Sequence, residues 1–278
     1  MEIEKTMSDE EKMRNYFESF INVYVTAANK AKLPADRERL EEIVRNAEFK
    51  TFEIPNMTGT FSVNKKLIQV ILNNFRKNGS NRNLFLLLHE FAHLDSGINE
   101  ELFKDQSALL QQLNEIAKKS HNEKLNEINA YYGILAIDEV VAQWTCEELN
   151  DALNGKKREI CKVTGGPLNS KISYTTDFSD NDIYSPLEQV VEKMIQSVGY
   201  KDIRTFTTDV LASNTGIMSK INSSNFEKLC NIGIICEGIY KENGFEPSLN
   251  VTANDIENAF ESLMKNSDLG ENNGGSER

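Results

Sequence analysis

Two of the chain's three histidines fall within five residues of each other, in the segment LFLLLHEFAHLDSG at positions 84–97. His89 and His93 are four apart, so on a helix they point the same way, one turn from each other. Eight of the first eleven residues of the segment are apolar. Leu84, Phe85, Leu86, Leu87, Leu88, Phe91, Ala92 and Leu94 cover almost every other direction, and a helix apolar all round is a buried one. An unpaired buried polar side chain costs about 1–3 kcal/mol, so two imidazoles and the adjacent Glu90 call for a shared partner. A divalent cation is such a partner. Two imidazoles a turn apart can bind one Zn²⁺ through their ring nitrogens. Glu90, pointing sideways, can then reach a water on the metal and take its proton without occupying a ligand position. The competing reading is a pair of core histidines satisfied by their neighbours, or a surface coincidence, with no ion.

A catalytic zinc site of this kind needs one more protein ligand and an open position. A third histidine six residues after His93 would complete one such pattern, but that position is Asn99. His121 lies in KKSHNEK, a charged stretch that reads as a solvated loop between helices. The segment YYGILAIDEVVAQWTCEEL, 131–149, is a second strongly apolar helix with Glu139 in its middle. Leu135, Glu139, Ala142 and Cys146 share one face, a carboxylate flanked by small side chains that permit close approach to another helix. A buried carboxylate needs a cation, so Glu139 is the candidate third ligand and Asp138, facing another way, the fallback. Without a metal, Glu139 would be an exposed position on an amphipathic helix.

These two helices must be set in a fold. Residues 8–31 alternate charged and apolar residues at helical spacing, with Ser8 as N-cap, and a short helix follows Pro34. FKTFEI, GTFSVN and LIQVIL, between residues 48 and 72, are short runs rich in Phe, Thr, Val and Ile. They read as three strands in an antiparallel meander. Helices are expected at 100–119, 123–153, 186–198, 202–213, 224–242 and 253–265. Residues 154–185 read as an extended loop with a short strand around 171–176, and the tail 267–278 as disordered. The fold class expected is α+β and zincin-like: a small antiparallel or mixed sheet, the histidine helix, and a mainly helical C-terminal half. Residues 1–266 are expected to form a single domain, 1–98 holding the N-terminal helices, sheet and histidine helix and 99–266 the helical lower half.

H-E-x-x-H on one helix followed by E-x-x-A-Q on a later one resembles the gluzincin group of zinc metallopeptidases. The upstream run LIQVILNNF…RNLFLLLHEFAH is similar to the ImmA/IrrE-like metallopeptidases. The resemblance covers roughly residues 57–147. It implies one zinc per chain bound by His89, His93 and Glu139, with Glu90 as general base. It also implies a sheet edge near residues 67–72 along which an extended peptide substrate adds as a further strand. Many gluzincins carry an aspartate four residues after the ligand glutamate, hydrogen-bonded to the first histidine. Gln143 stands there, and its amide oxygen could accept the same bond; Asp95 or Asp138 could fill that role instead. Oxyanion stabilisation calls for a further donor. Tyr131, Tyr132, Tyr174 and Tyr184 are candidates, and Tyr184, just before a Pro-initiated helix, is the one taken as catalytic.

The formal net charge of −12 argues against nonspecific binding to nucleic acid or an anionic membrane. No run approaches the roughly 18–20 apolar residues that span a bilayer. The charged N-terminus lacks the apolar stretch of a signal peptide. The expected compartment is the cytoplasm, although a signal-less export route leaves the same sequence. Cys146, Cys161, Cys230 and Cys236 form no C-x-x-C pair and read as reduced thiols. The function expected is zinc-dependent endopeptidase action on a protein substrate. The alternative is a non-catalytic regulatory or interaction protein whose metal site is structural or sensory. Oligomeric state and cleavage specificity leave no mark in the sequence.

Overall fold

The computed structural model describes residues 8–50, 59–63, 66–70, 80–98, 102, 105–120, 125–155, 162–164, 171–173, 184–213, 217–242 and 251–265. Its elements run in chain order as follows. Helices α1 (Asp9–Ala31) and α2 (Arg37–Asn46) precede strands β1 (Glu48–Lys50), β2 (Gly59–Val63) and β3 (Lys66–Val70). Helices α3 (Ser80–Ser96), α4 (Gln106–Ser120) and α5 (Glu127–Asn154) follow. Strands β4 (Lys162–Thr164) and β5 (Lys171–Ser173) lead to helices α6 (Tyr184–Ser197), α7 (Ile203–Ser213), α8 (Phe226–Glu242) and α9 (Ala253–Lys265).

The α+β, zincin-like expectation is overturned: the described chain is mostly helical. The Phe-, Thr- and Val-rich runs do pair, β1 with β2 (Phe49 opposite Phe61) and β2 with β3 (Phe61 opposite Ile68), all antiparallel. Each strand is only three to five residues long. Strands of that length cannot form a layer that covers a helix face. Within each unit the described helices pack mainly on other helices, with smaller contacts from β1 to α1, β2 to α2 and β4 to α6. The tail 267–278 and most of the loop 154–185 lie outside the described residues.

The chain divides into two compact units. The first comprises Met1–Lys104, Ala142–Arg158 and Leu211–Asn214, the second Asp105–Val141, Glu159–Val210 and Thr215–Arg278. In the first, α1 starts at a capping box. Ser8 Oγ accepts the Glu11 N–H, and Glu11 Oε2 accepts the Ser8 N–H, which satisfies two of the donors a helix start leaves open. One face of α1 then buries Phe17, Phe20, Ile21, Tyr24 and Ala28. Leu40 and Val44 of α2 and Leu87, Leu88 and Phe91 of α3 are buried in the same unit.

In the second unit, α8 packs against α9, α6 and α4, and α9 against α6. The buried residues sit at helical spacing: Leu187, Val190, Val191 and Met194 on α6, Leu229, Ile232 and Ile235 on α8, Ile256, Ala259 and Leu263 on α9. A close helix approach is set by two glycines. A Cβ at Gly133 on α5 would stand 2.1 Å from the Leu229 carbonyl oxygen, and one at Gly233 on α8 would stand 2.0 Å from that of Asn129. The backbones of α5 and α8 therefore touch where side chains are absent. Burial also pushes the Cys230 thiol up to about 12, so it stays protonated and unreactive at neutral pH.

The glycine crossing is testable. Gly133→Ala and Gly233→Ala must each push two helix backbones apart, and overpacking of this kind costs about 1–3 kcal/mol. Thermal melts should show a lowered Tm for both variants; a Tm equal to wild type would contradict the close approach.

Candidate metal centre

The histidine helix α3 is held in the middle of its chemistry-bearing stretch and at its C-terminal end. Phe91, between the two histidines and on the side away from them, sits among three rings of α1. Its centroid is 5.8 Å from Phe17 in a stacked arrangement, 4.9 Å from Phe20 edge-on and 5.9 Å from Tyr24. Positions 17, 20 and 24 follow one another at helical spacing, so the three rings stand on one face of α1. Aromatic pairs at such distances contribute about 0.5–1.5 kcal/mol each beyond burial.

At the end of α3, Asp95 is fully buried and ties three helices together. Its carboxylate accepts the Tyr24 hydroxyl of α1 at 3.1 Å and the Asp36 N–H, at the start of α2, at 3.1 Å. Its carbonyl oxygen accepts Arg39 Nη1 of α2 at 3.0 Å, a cation at the negative end of a helix. Burial pushes the Asp95 carboxyl up to about 6, against the Asp36 N–H, the Tyr24 hydroxyl and the Arg39 charge, which pull it down. Burial, then the Asp95 charge, raises the Tyr24 hydroxyl well above its ordinary value. The helix ends at Gly97, whose φ of +71° suits glycine; a Cβ there would meet the Arg39 guanidinium at 2.8 Å.

With α3 so fixed, His89 and His93 are 8% and 4% exposed, and their Nε2 atoms are 3.1 Å apart, the rings nearly perpendicular. Two nitrogens bound to one tetrahedral zinc at about 2.0–2.1 Å stand about 3.3–3.4 Å from each other. The observed spacing is close to that chord. Without an ion, the same spacing suits a hydrogen bond between the two rings.

Glu139 completes the group. Its carboxylate and the two imidazoles each offer a ligand atom, all within 4.8 Å of one another. Glu139 is a half-buried side chain on α5. Two nitrogens and one oxygen suit a borderline cation, and three protein ligands leave a position open. The donor set fits a metal ion.

The other sequence-derived candidates fall in different places. Glu90 is half-buried on α3, next to the first histidine. Gln143, one turn after Glu139, donates its Nε2 to Glu147 Oε1 at 2.7 Å. Cys146 Sγ lies 4.0 Å from His89 Nδ1 and 3.9 Å from Gln143 Oε1. Asp95 faces α1 and α2. Asp138 is buried and lies outside the metal-capable group. Tyr131 is buried edge-on to Tyr132, 5.8 Å between centroids. Tyr184 begins α6, but its side chain lies outside the described residues, as do Tyr174 and His121.

Cys146 is the contact that sequence reasoning did not assign. It shares a face with Glu139, two turns on, and that spacing placed it near the site without naming its neighbour. Compared with known protein families, curated proteins and solved structures, the chain shows no match in any of the three.

The Asp95 knot can be tested. Asp95→Ala leaves the buried Tyr24 hydroxyl and the Asp36 N–H without their acceptor, at about 1–3 kcal/mol for each group. Chemical denaturation should show a stability loss on the order of 2–4 kcal/mol. An unchanged midpoint and slope would show that the knot holds nothing.

Proposed function

We propose that this chain is a zinc-dependent endopeptidase with one metal per chain. The observation that carries the reading is the gathering of His89, His93 and Glu139 side chains on two apolar helices, with Glu90 immediately after the first histidine. The resemblance of H-E-x-x-H and E-x-x-A-Q to the gluzincin metallopeptidases supports it. His89 and His93 would hold the ion through Nε2, and Glu139 would add the carboxylate.

Bound zinc supplies a Lewis acid that lets water ionise near neutral pH and that polarises a carbonyl. Glu90, set sideways on the same helix, takes the proton of the attacking water and returns it to the departing amine. Tyr184 is proposed as the donor to the developing oxyanion. The substrate would be a protein or peptide in extended form. It would pair along β3, an outer strand of the β1–β2–β3 sheet. Among the described residues no helix is long and apolar enough to cross a membrane; action in the cytoplasm belongs to the proposal.

Purified protein should contain about one zinc per chain, removable by a strong chelator with loss of cleavage of an unbiased peptide library. Glu90→Gln should keep the zinc and lower cleavage at least about 100-fold, since general-base catalysis contributes about 10²–10⁴-fold. Zinc bound stoichiometrically with no cleavage by wild type would instead favour a structural or sensory metal. No zinc after supplementation would sink the reading altogether.

A further inference from the structure

A neutral imidazole carries one N–H, and which nitrogen bears it decides whether the other can bind a metal. For His89 a neighbour of each nitrogen is defined. Its Nε2 faces His93 Nε2 at 3.1 Å, and its Nδ1 faces Cys146 Sγ at 4.0 Å. The thiol also carries a single proton. Acceptors near it include the Gln143 carbonyl oxygen at 3.1 Å, Gln143 Oε1 at 3.9 Å and His89 Nδ1 at 4.0 Å. Hydrogen bonds weaken steeply with distance, so of these the Gln143 carbonyl, one turn back on the same helix, takes the S–H. The sulfur lone pairs are then left to face the ring.

We propose that Cys146 is a positioning residue of the site: its sulfur accepts the Nδ1–H of His89 and so fixes the tautomer whose bare Nε2 faces His93. This tautomer orders three protons along one path. His93 Nε2–H donates to His89 Nε2, His89 Nδ1–H to Cys146 Sγ, and Cys146 Sγ–H to the Gln143 carbonyl. The sulfur lies on the Nδ1 side of the ring, away from the metal-facing nitrogen, so it orients the ligand and is not one. Cys146 is fully buried, so water does not compete for either bond. Helix α5 thereby supplies from one face both the third ligand, Glu139, and, seven residues on, the group that orients the first. Gln143 has its amide nitrogen bonded to Glu147 at 2.7 Å, and its Oε1 lies 3.9 Å from the thiol sulfur. The consequence for metal binding rests on the function proposed above; the tautomer itself is a property of the metal-free protein.

The test is made on metal-free protein, at a pH where both rings are neutral. Two-bond ¹H–¹⁵N correlation of the imidazoles reads the tautomers directly, and three histidines make the spectrum assignable from His89→Gln. Wild type should show His89 protonated at Nδ1. Cys146→Ala should move that proton towards Nε2 and, in chelator competition, weaken zinc binding about 10–100-fold, the usual effect of losing a ligand's hydrogen-bond partner. Cys146→Ser, which keeps an acceptor on a shorter bond, should fall between. Far-UV circular dichroism should be the same for all three. His89 protonated at Nε2 in wild type overturns the proposal, and so does Cys146→Ala with unchanged zinc affinity. Should Cys146→Ala fail to fold, the wild-type tautomer and the Cys146→Ser affinity decide between the two outcomes. A chain that takes up no zinc would sink the proposed function but leave the tautomer measurement decisive for Cys146.

Discussion

The candidate site rests on the cost of burying charge and unpaired polarity. Two imidazoles and a carboxylate stand together on helices whose nearby residues Leu87, Leu88, Ala92, Val140 and Val141 are all buried. The two imidazoles are buried and the carboxylate half-buried, and the less water reaches such groups the more a shared cation gains by binding them. The imidazole pair can satisfy itself through one N–H, as the 3.1 Å spacing shows. The carboxylate cannot donate, and a cation would bind all three at once. Hence the arrangement of the helices matters more than any single residue in it.

Much of the first unit serves to keep α3 where it is. Phe91 is locked among the rings of α1, and Asp95 ties α3 to Tyr24 and to the start of α2. Arg39 closes the helix end. These devices act on the residues directly around His93: Phe91 two before it, Asp95 two after it and Gly97 one turn on. A ring that must present one nitrogen within a few tenths of an ångström gains from a helix that cannot roll. On α5 the continuity of one long helix does the corresponding task, since Glu139 and Cys146 ride on the same 28-residue element.

The local signals were legible. The spacing of His89 and His93, the apolar stretch around them and the shared face of Glu139, Ala142 and Cys146 follow from 3.6-residue periodicity alone. The helices expected after Pro34, at 123–153 and at 224–242 run over Arg37–Asn46, Glu127–Asn154 and Phe226–Glu242. The balance of the fold was not legible. Runs such as GTFSVN reveal extended backbone, but nothing in them says how long the ladder is or whether a helix packs on it. The α+β reading failed there. Asp95 gave no local sign of its role either, because its partners Tyr24 and Asp36 are 71 and 59 residues away. The thiol beside His89 is 57 residues away. Such contacts are set by how helices pack, which one sequence does not state.

X-ray absorption at the zinc edge on the metal-loaded protein addresses the central claim most directly. Coordination by His89, His93 and Glu139 predicts a shell of nitrogen and oxygen at about 2.0–2.1 Å, with the outer-shell scattering of two imidazoles and no sulfur at about 2.3 Å. One imidazole should vanish from the spectrum in either His89→Gln or His93→Gln. A sulfur ligand, or a spectrum indifferent to those substitutions, would contradict the assignment of these three residues as the ligands.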